Sequence, residues 1–242
     1  MKSELHVGRA LLLLATCVLG VFFWESPWLL PFKLLAVMGH ETGHAVASLL
    51  VGGSVERVTL SLNESGACLS RTPDSFFAQM IVYSAGYVGS ALISVALLIA
   101  TFRFNARRPM LTLAAVWLAV MGVFSARDGF TIAFSFFMAV AFAVGARVLP
   151  DGVVGAVNGF IASFTALYAA MDLKDDLWNS AVRAQSDAAL LANITWVPAI
   201  VWAALWTVLS VAVLLAGAWY ALRERPRVTP LEFAPRARPA SR

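Results

Sequence analysis

The chain has 242 residues, 60% of them hydrophobic and 13% charged, with a mean hydropathy of +0.78. A soluble globular domain carries charge on about a quarter of its residues, so this composition excludes one and describes an integral, multi-pass membrane protein. The net charge of +4 is concentrated in the closing segment, where Arg223, Arg225, Arg227, Arg236, Arg238 and Arg242 fall. Beside membrane spans, such a segment reads as an anchor at anionic lipid headgroups and not as a nucleic-acid site.

A bilayer crossing takes about 20 apolar residues, and the chain offers about seven runs near that length. They are Ala10 to Trp24, Leu34 to Val51, Phe76 to Thr101, Met110 to Ala126, Phe130 to Val148, Val153 to Met171 and Ile194 to Leu222. The first, preceded by Lys2 and Arg9, imitates a secretory signal. Its apolar run continues through Phe22, Phe23 and Trp24 without a small-residue cleavage site, so it reads as a retained helix. The last run is long enough to tilt or to begin as an interfacial turn at Trp196 and Pro198. The expectation is an all-α bundle of about seven transmembrane helices, with residues 1–222 as one domain and 223–242 as a basic, Pro- and Arg-rich tail.

The second run contains Gly39-His40-Glu41-Thr42-Gly43-His44-Ala45, a His-Glu-x-x-His motif. Residues four apart share one face of an α-helix, so His40 and His44 can both present an imidazole nitrogen to one zinc ion. Glu41 then flanks the open coordination position, where a carboxylate can take a proton from water. With only 3 histidines in the chain, accident would give this pattern on the order of once in a thousand such sequences. Its setting adds weight, because two imidazoles and a glutamate in hydrocarbon are costly unless they pair, bind metal or line a wet cavity.

Between the second and third runs, Val55, Val58, Leu60 and Leu62 give a period of two. Asn63-Glu64-Ser65-Gly66 supplies turn chemistry, and Ala67 with Leu69 resumes the alternation, so Ser54 to Arg71 reads as a β-hairpin beside the histidine helix. In the third run, Ala85 with Gly89 and Gly86 with Ser90 are small pairs that permit close helix approach, with the histidine helix the expected partner. Cys17 and Cys68 lie in different environments and read as small apolar fillers.

Charge-based topology conflicts with itself. Seven spans put the basic loop of Arg103, Arg107 and Arg108 on the same side as the tail, but Lys2 and Arg9 on the other. By number of arginines, the loop and tail are the cytoplasmic elements.

Catalytic zinc usually takes three protein ligands, so two histidines leave one to find. Asp172, Asp175 and Asp176 follow the sixth run and share a helix face. Asp175 and Asp176 beside Lys174 read as a solvated helix end. Asp172, closest to the apolar run, is the preferred ligand, with Asp176, Asp128 and Asp187 as alternatives.

The His-Glu-x-x-His inside a transmembrane helix, followed by Gly52-Gly53, a strand-like segment and Ser84-Ala85-Gly86-Tyr87-Val88-Gly89, resembles the site-2 protease family of intramembrane zinc metallopeptidases. The likeness is to its compact bacterial branch without PDZ domains. The resemblance implies a bacterial cytoplasmic membrane, bound Zn2+, and hydrolysis of a peptide bond in a membrane-anchored protein substrate with Glu41 as general base. It also implies that the hairpin pairs with the unfolded substrate, which assigns substrate binding to Val58, Leu60 and Leu62. The family's Leu-Asp-Gly and Asn-Pro signatures are absent, and Met171-Asp172-Leu173 only approximates the first. The rival expectation is a catalytically silent relative that binds or chaperones transmembrane helices; retention of Glu41 beside both histidines favours chemistry.

Overall fold

A computed structural model describes residues 6–183 and 186–223. The expected 223–242 tail beyond Arg223 lies outside them. The described chain is a helical bundle with one short hairpin: α1 (Val7–Phe22), α2 (Leu30–Leu50), β1 (Ser54–Leu60), β2 (Gly66–Arg71), α3 (Phe76–Leu98), α4 (Arg107–Phe124), α5 (Gly129–Val148), α6 (Asp151–Trp178), α7 (Ser180–Arg183), α8 (Asp187–Thr195) and α9 (Ala199–Leu222). Helix α3 runs on through a π-helical turn, Ile99–Arg103. By length and composition, five helices can cross a membrane, namely α3 with its extension, α4, α5, α6 and α9.

The first two expected spans behave differently. Helix α1 has 16 residues, and Pro27 with Pro31 separates it from α2, because proline lacks the N–H that a continuing helix needs. Both helices run parallel to α6. Along α1, Gly20 meets Leu167 and Phe164, and Trp24 stacks near Phe164 and Tyr168. Along α2, Phe32 packs edge-on against Phe160, and residues eight further on lie near Asp172. Thus α1 and α2 rise one after the other along the same face of α6, not as an antiparallel pair. The seventh expected span also divides: Ile194 and Thr195 close α8, Trp196 turns the chain at φ 62°, and α9 starts after Pro198.

Helix α3 packs antiparallel to α2 at backbone contact. A Cβ on Gly43 would strike the Ala85 carbonyl, and one on Gly89 would lie 3.5 Å from the Gly43 Cα. The small residues expected to allow close approach therefore meet the histidine helix.

The hairpin forms where the alternation places it, with Val58 opposite Cys68, Leu60 opposite Gly66 and a bulge between Val55 and Arg57. Its β1 edge is already occupied: the Val58 N–H donates to the Ser125 carbonyl at 2.8 Å, and the Leu60 N–H donates to Thr131 Oγ1 at 2.8 Å. Val58 and Leu60 are buried in the core that α2, α4 and α5 share.

The hairpin turn is clamped to the bundle. Lys33, buried on α2, places Nζ 2.8 Å from Glu64 Oε1 and 4.5 Å from the centre of the Trp24 ring. The Tyr168 hydroxyl donates to the Glu64 carbonyl at 3.0 Å. Removing the partner of a buried charge costs more than removing the charge itself. Glu64→Ala should therefore lower stability in detergent by about 3 kcal/mol, and Lys33→Met by clearly less. Equal losses in thermal unfolding would show that the pairing is not what makes Lys33 tolerable there.

Candidate metal centre

Helical spacing puts His40 and His44 on the face of α2 that meets α3. Their rings lie 4.8 Å apart, and Tyr87 of α3 packs edge-on against His40 at 4.7 Å. The His44 Nδ1 lies 2.7 Å from the Val82 carbonyl, an acceptor only, so Nδ1 carries the proton and Nε2 keeps its lone pair for a metal.

The third group arrives from a distant part of the chain. Asp187, in the first turn of α8, brings Oδ2 to 3.1 Å from His40 Nε2 and 3.1 Å from His44 Nε2. Candidate ligand atoms of His40, His44 and Asp187 all lie within 4.8 Å of one another. Two imidazole nitrogens and a carboxylate oxygen are a donor set that catalytic zinc accepts. The imidazoles lie directly against Gly86, where a Cβ would run into both Nε2 atoms. Gly86→Ala should accordingly abolish stoichiometric zinc binding, read by metal analysis of purified protein, while the same substitution at Gly152, where a Cβ meets nothing within 4 Å, should leave it intact.

The other aspartates are engaged elsewhere. The Tyr87 hydroxyl, a donor to carboxylates, lies 2.9 Å from Asp172 Oδ2 and 3.1 Å from Asp176 Oδ2. This differs from the expected ligand set. Asp172 lies near the site but faces Tyr87, whereas the turn through α7 into α8 carries Asp187 back onto the imidazoles. Asp175 pairs with Lys174 at 3.0 Å in the solvated position expected of it, whereas Asp176, expected there too, is buried against Tyr87 because it lies on the α6 face that meets α3; Asp128 caps α5 by accepting from the Thr131 N–H at 2.9 Å. A signal for Asp187 exists in the sequence, since Ser186-Asp187 before an apolar run marks a helix start, but it carries no information about what that start approaches.

A cavity of about 1080 Å³ opens at the site, lined on one side by His40, Glu41, His44 and Asp187 and on the other by β2. Glu41 is buried, and a Cβ on Gly66 at the start of β2 would lie 2.8 Å from its Oε1. The strand facing the cavity is thus β2, and among the described residues its outer edge has no strand partner such as the α4–α5 turn gives β1. Val58 and Leu60 instead point into the core, and Leu62 is exposed at the turn. This differs from the assignment of Val58 and Leu60 to substrate, because β1 is the inner strand; Leu62, also assigned there, lies beyond the end of β1 and is not among the residues lining the cavity. Burial, reinforced by the Glu41 carboxylate, pushes the Cys68 thiol up to about 12, so it stays protonated at neutral pH.

The model of the Peptidase M50B-like family matches residues 13–217. The chain belongs to that family. The match spans the histidine helix, the hairpin and Asp187, so this M50B-like chain carries the candidate ligands inside the matched region. No curated protein and no solved structure matches it. Its family makes it a membrane metallopeptidase by descent, and its several long apolar helices make it an integral, multi-pass membrane protein.

Proposed function

We propose that this M50B-like peptidase is an intramembrane zinc metalloendopeptidase that hydrolyses a peptide bond in a membrane-anchored protein, with His40, His44 and Asp187 as ligands and Glu41 as general base. The observation that carries the reading is the convergence of three ligand atoms from α2 and α8 beside a buried glutamate in one cavity. Zinc bound there would supply Lewis acidity and lower the pKa of a water toward neutrality. Glu41 accepts a proton from the attacking water and passes it to the leaving amine. His44, fixed by the Val82 carbonyl, holds its ring in the one tautomer that leaves Nε2 free.

The substrate reaches Glu41 along β2. A peptide bond inside a helix is shielded, so a transmembrane segment must unwind before it is cut, and its freed backbone groups need partners in a water-poor setting. The outer edge of β2 supplies them by strand addition, which depends little on side chains. The residues proposed to flank the substrate are therefore Ala67, Leu69 and Arg71, on the strand that lines the cavity.

Protein reconstituted in liposomes should carry about one zinc per chain and cleave single-span segments whose helix is broken by glycine or proline. Chelation should lower cleavage by at least about 100-fold and added zinc should restore it. Cleavage that survives complete metal removal would overturn the reading.

A further inference from the structure

The two imidazoles of the candidate centre are held in different ways. His44 is fixed through its far nitrogen, Nδ1, which donates to the Val82 carbonyl. His40 makes its hydrogen bond with Asp187, and makes it through Nε2, the atom offered to a metal. With Nε2 and the Asp187 oxygen both given to an ion, that bond is no longer there to orient the ring. What then holds it is packing, and the ring set against it from α3 is Tyr87, edge-on at 4.7 Å with an interplanar angle of 84°.

Tyr87 is itself tied down on several sides. The small residues of α3 bring its backbone onto α2, and Gly86, one residue earlier, lies against both imidazoles. The Tyr87 hydroxyl lies 2.9 Å from Asp172 Oδ2 and 3.1 Å from Asp176 Oδ2, acceptors one turn apart on α6. Trp206 of α9 packs on it with ring centroids 5.2 Å apart, and Tyr87 is buried in one cluster with Leu173, Ala188 and Leu191. Ala188 and Leu191 are the buried residues of α8, and Ala188 follows Asp187 directly. One side chain thus joins the helix that carries the histidines to the helix that carries the aspartate.

We propose that Tyr87 is the positioning residue of the metal centre: its hydroxyl, held by Asp172 and Asp176, fixes the ring that orients His40 and backs α8 where Asp187 begins. The inference rests on the metal reading above and adds the residue that keeps the candidate ligands in register. An imidazole free to turn about its side-chain bonds must be ordered when the metal binds, and a ring already locked by its neighbours removes that cost. Asp172 then acts on His40 through Tyr87, although it is not a ligand.

Zinc affinity of the purified full-length protein, titrated against a competing chelator, tests this without a cleavage assay. The visible bands of cobalt(II)-loaded protein report ligand geometry as a second readout. Tyr87→Phe keeps the ring but frees it from α6, and should weaken zinc binding by about 10- to 100-fold and shift the cobalt bands. The double variant Asp172→Ala, Tyr87→Phe should bind zinc about as well as Tyr87→Phe alone, because both changes cut the same link, whereas unconnected effects would multiply. Glu64→Ala, which loosens the hairpin clamp away from the candidate ligands, should lose thermal stability and keep its zinc affinity, which separates positioning from general destabilisation. Should Tyr87→Phe not fold, Trp206→Leu removes a ring packed on Tyr87 and touches neither His40 nor the carboxylates; it should give the same cobalt shift with weaker binding. Wild-type affinity in both Tyr87→Phe and Trp206→Leu, or losses that multiply in the double variant, would overturn the proposal. A wild-type protein that binds no stoichiometric metal would overturn the metal reading itself, and this inference with it.

Discussion

Glu41→Gln is expected to keep its zinc and lose cleavage by about 10²- to 10⁴-fold, the range over which a positioned general base contributes. The amide has nearly the same shape as the carboxylate, so the packing of Glu41 against Gly66 survives, but it cannot accept a proton from water. None of the three candidate ligands is touched, so metal content is the control that separates chemistry from folding. Retained zinc with lost turnover fits the base. Lost zinc would give Glu41 a structural role, and retained turnover would end the peptidase mechanism as drawn.

The second large effect separates two aspartates. Asp187→Ala should reduce zinc from about one per chain to a small fraction, since it removes one of three ligands and leaves the two imidazoles to hold the ion alone. Asp172→Ala should retain most of the zinc, because its carboxylate lies against the Tyr87 hydroxyl. It should still weaken binding moderately, as loss of a neighbour that orients a ligand commonly costs about 10- to 100-fold in affinity, and Tyr87 packs on His40. Titration against a competing chelator measures both. Zinc lost equally in the two variants, or lost only in Asp172→Ala, would transfer the ligand role away from Asp187.

Much of the architecture was legible in the residues. Composition declared the membrane, and the alternation from Val55 to Leu62 around Asn63-Glu64-Ser65-Gly66 located the hairpin. The spacing of His40 and His44 placed both imidazoles on one helix face. Each of these depends on a period of two or 3.6 residues, which neighbouring side chains carry wholly within themselves. The small residues Gly86 and Gly89 marked a close helix contact, and their expected partner was the one found.

Three features depended on the tertiary structure. The strand that lines the cavity is β2 and not β1, because Ser125 and Thr131, distant in sequence, occupy the β1 side. The candidate ligand passed from Asp172 to Asp187 because the chain turns back after α6 and sets the first turn of α8 against α2. The direction of α1 relative to α2 set Arg9 at the end of the bundle where α3 finishes, against the Phe102 carbonyl. The sequence by itself determined a membrane bundle with two imidazoles on one helix face and a hairpin beside it, because periodicity and hydropathy act over a few residues. Only the tertiary structure decided which carboxylate lies against the imidazoles and which strand lines the cavity, because these are set by the return path of the chain, and no local pattern encodes where a segment lands once the helices have packed.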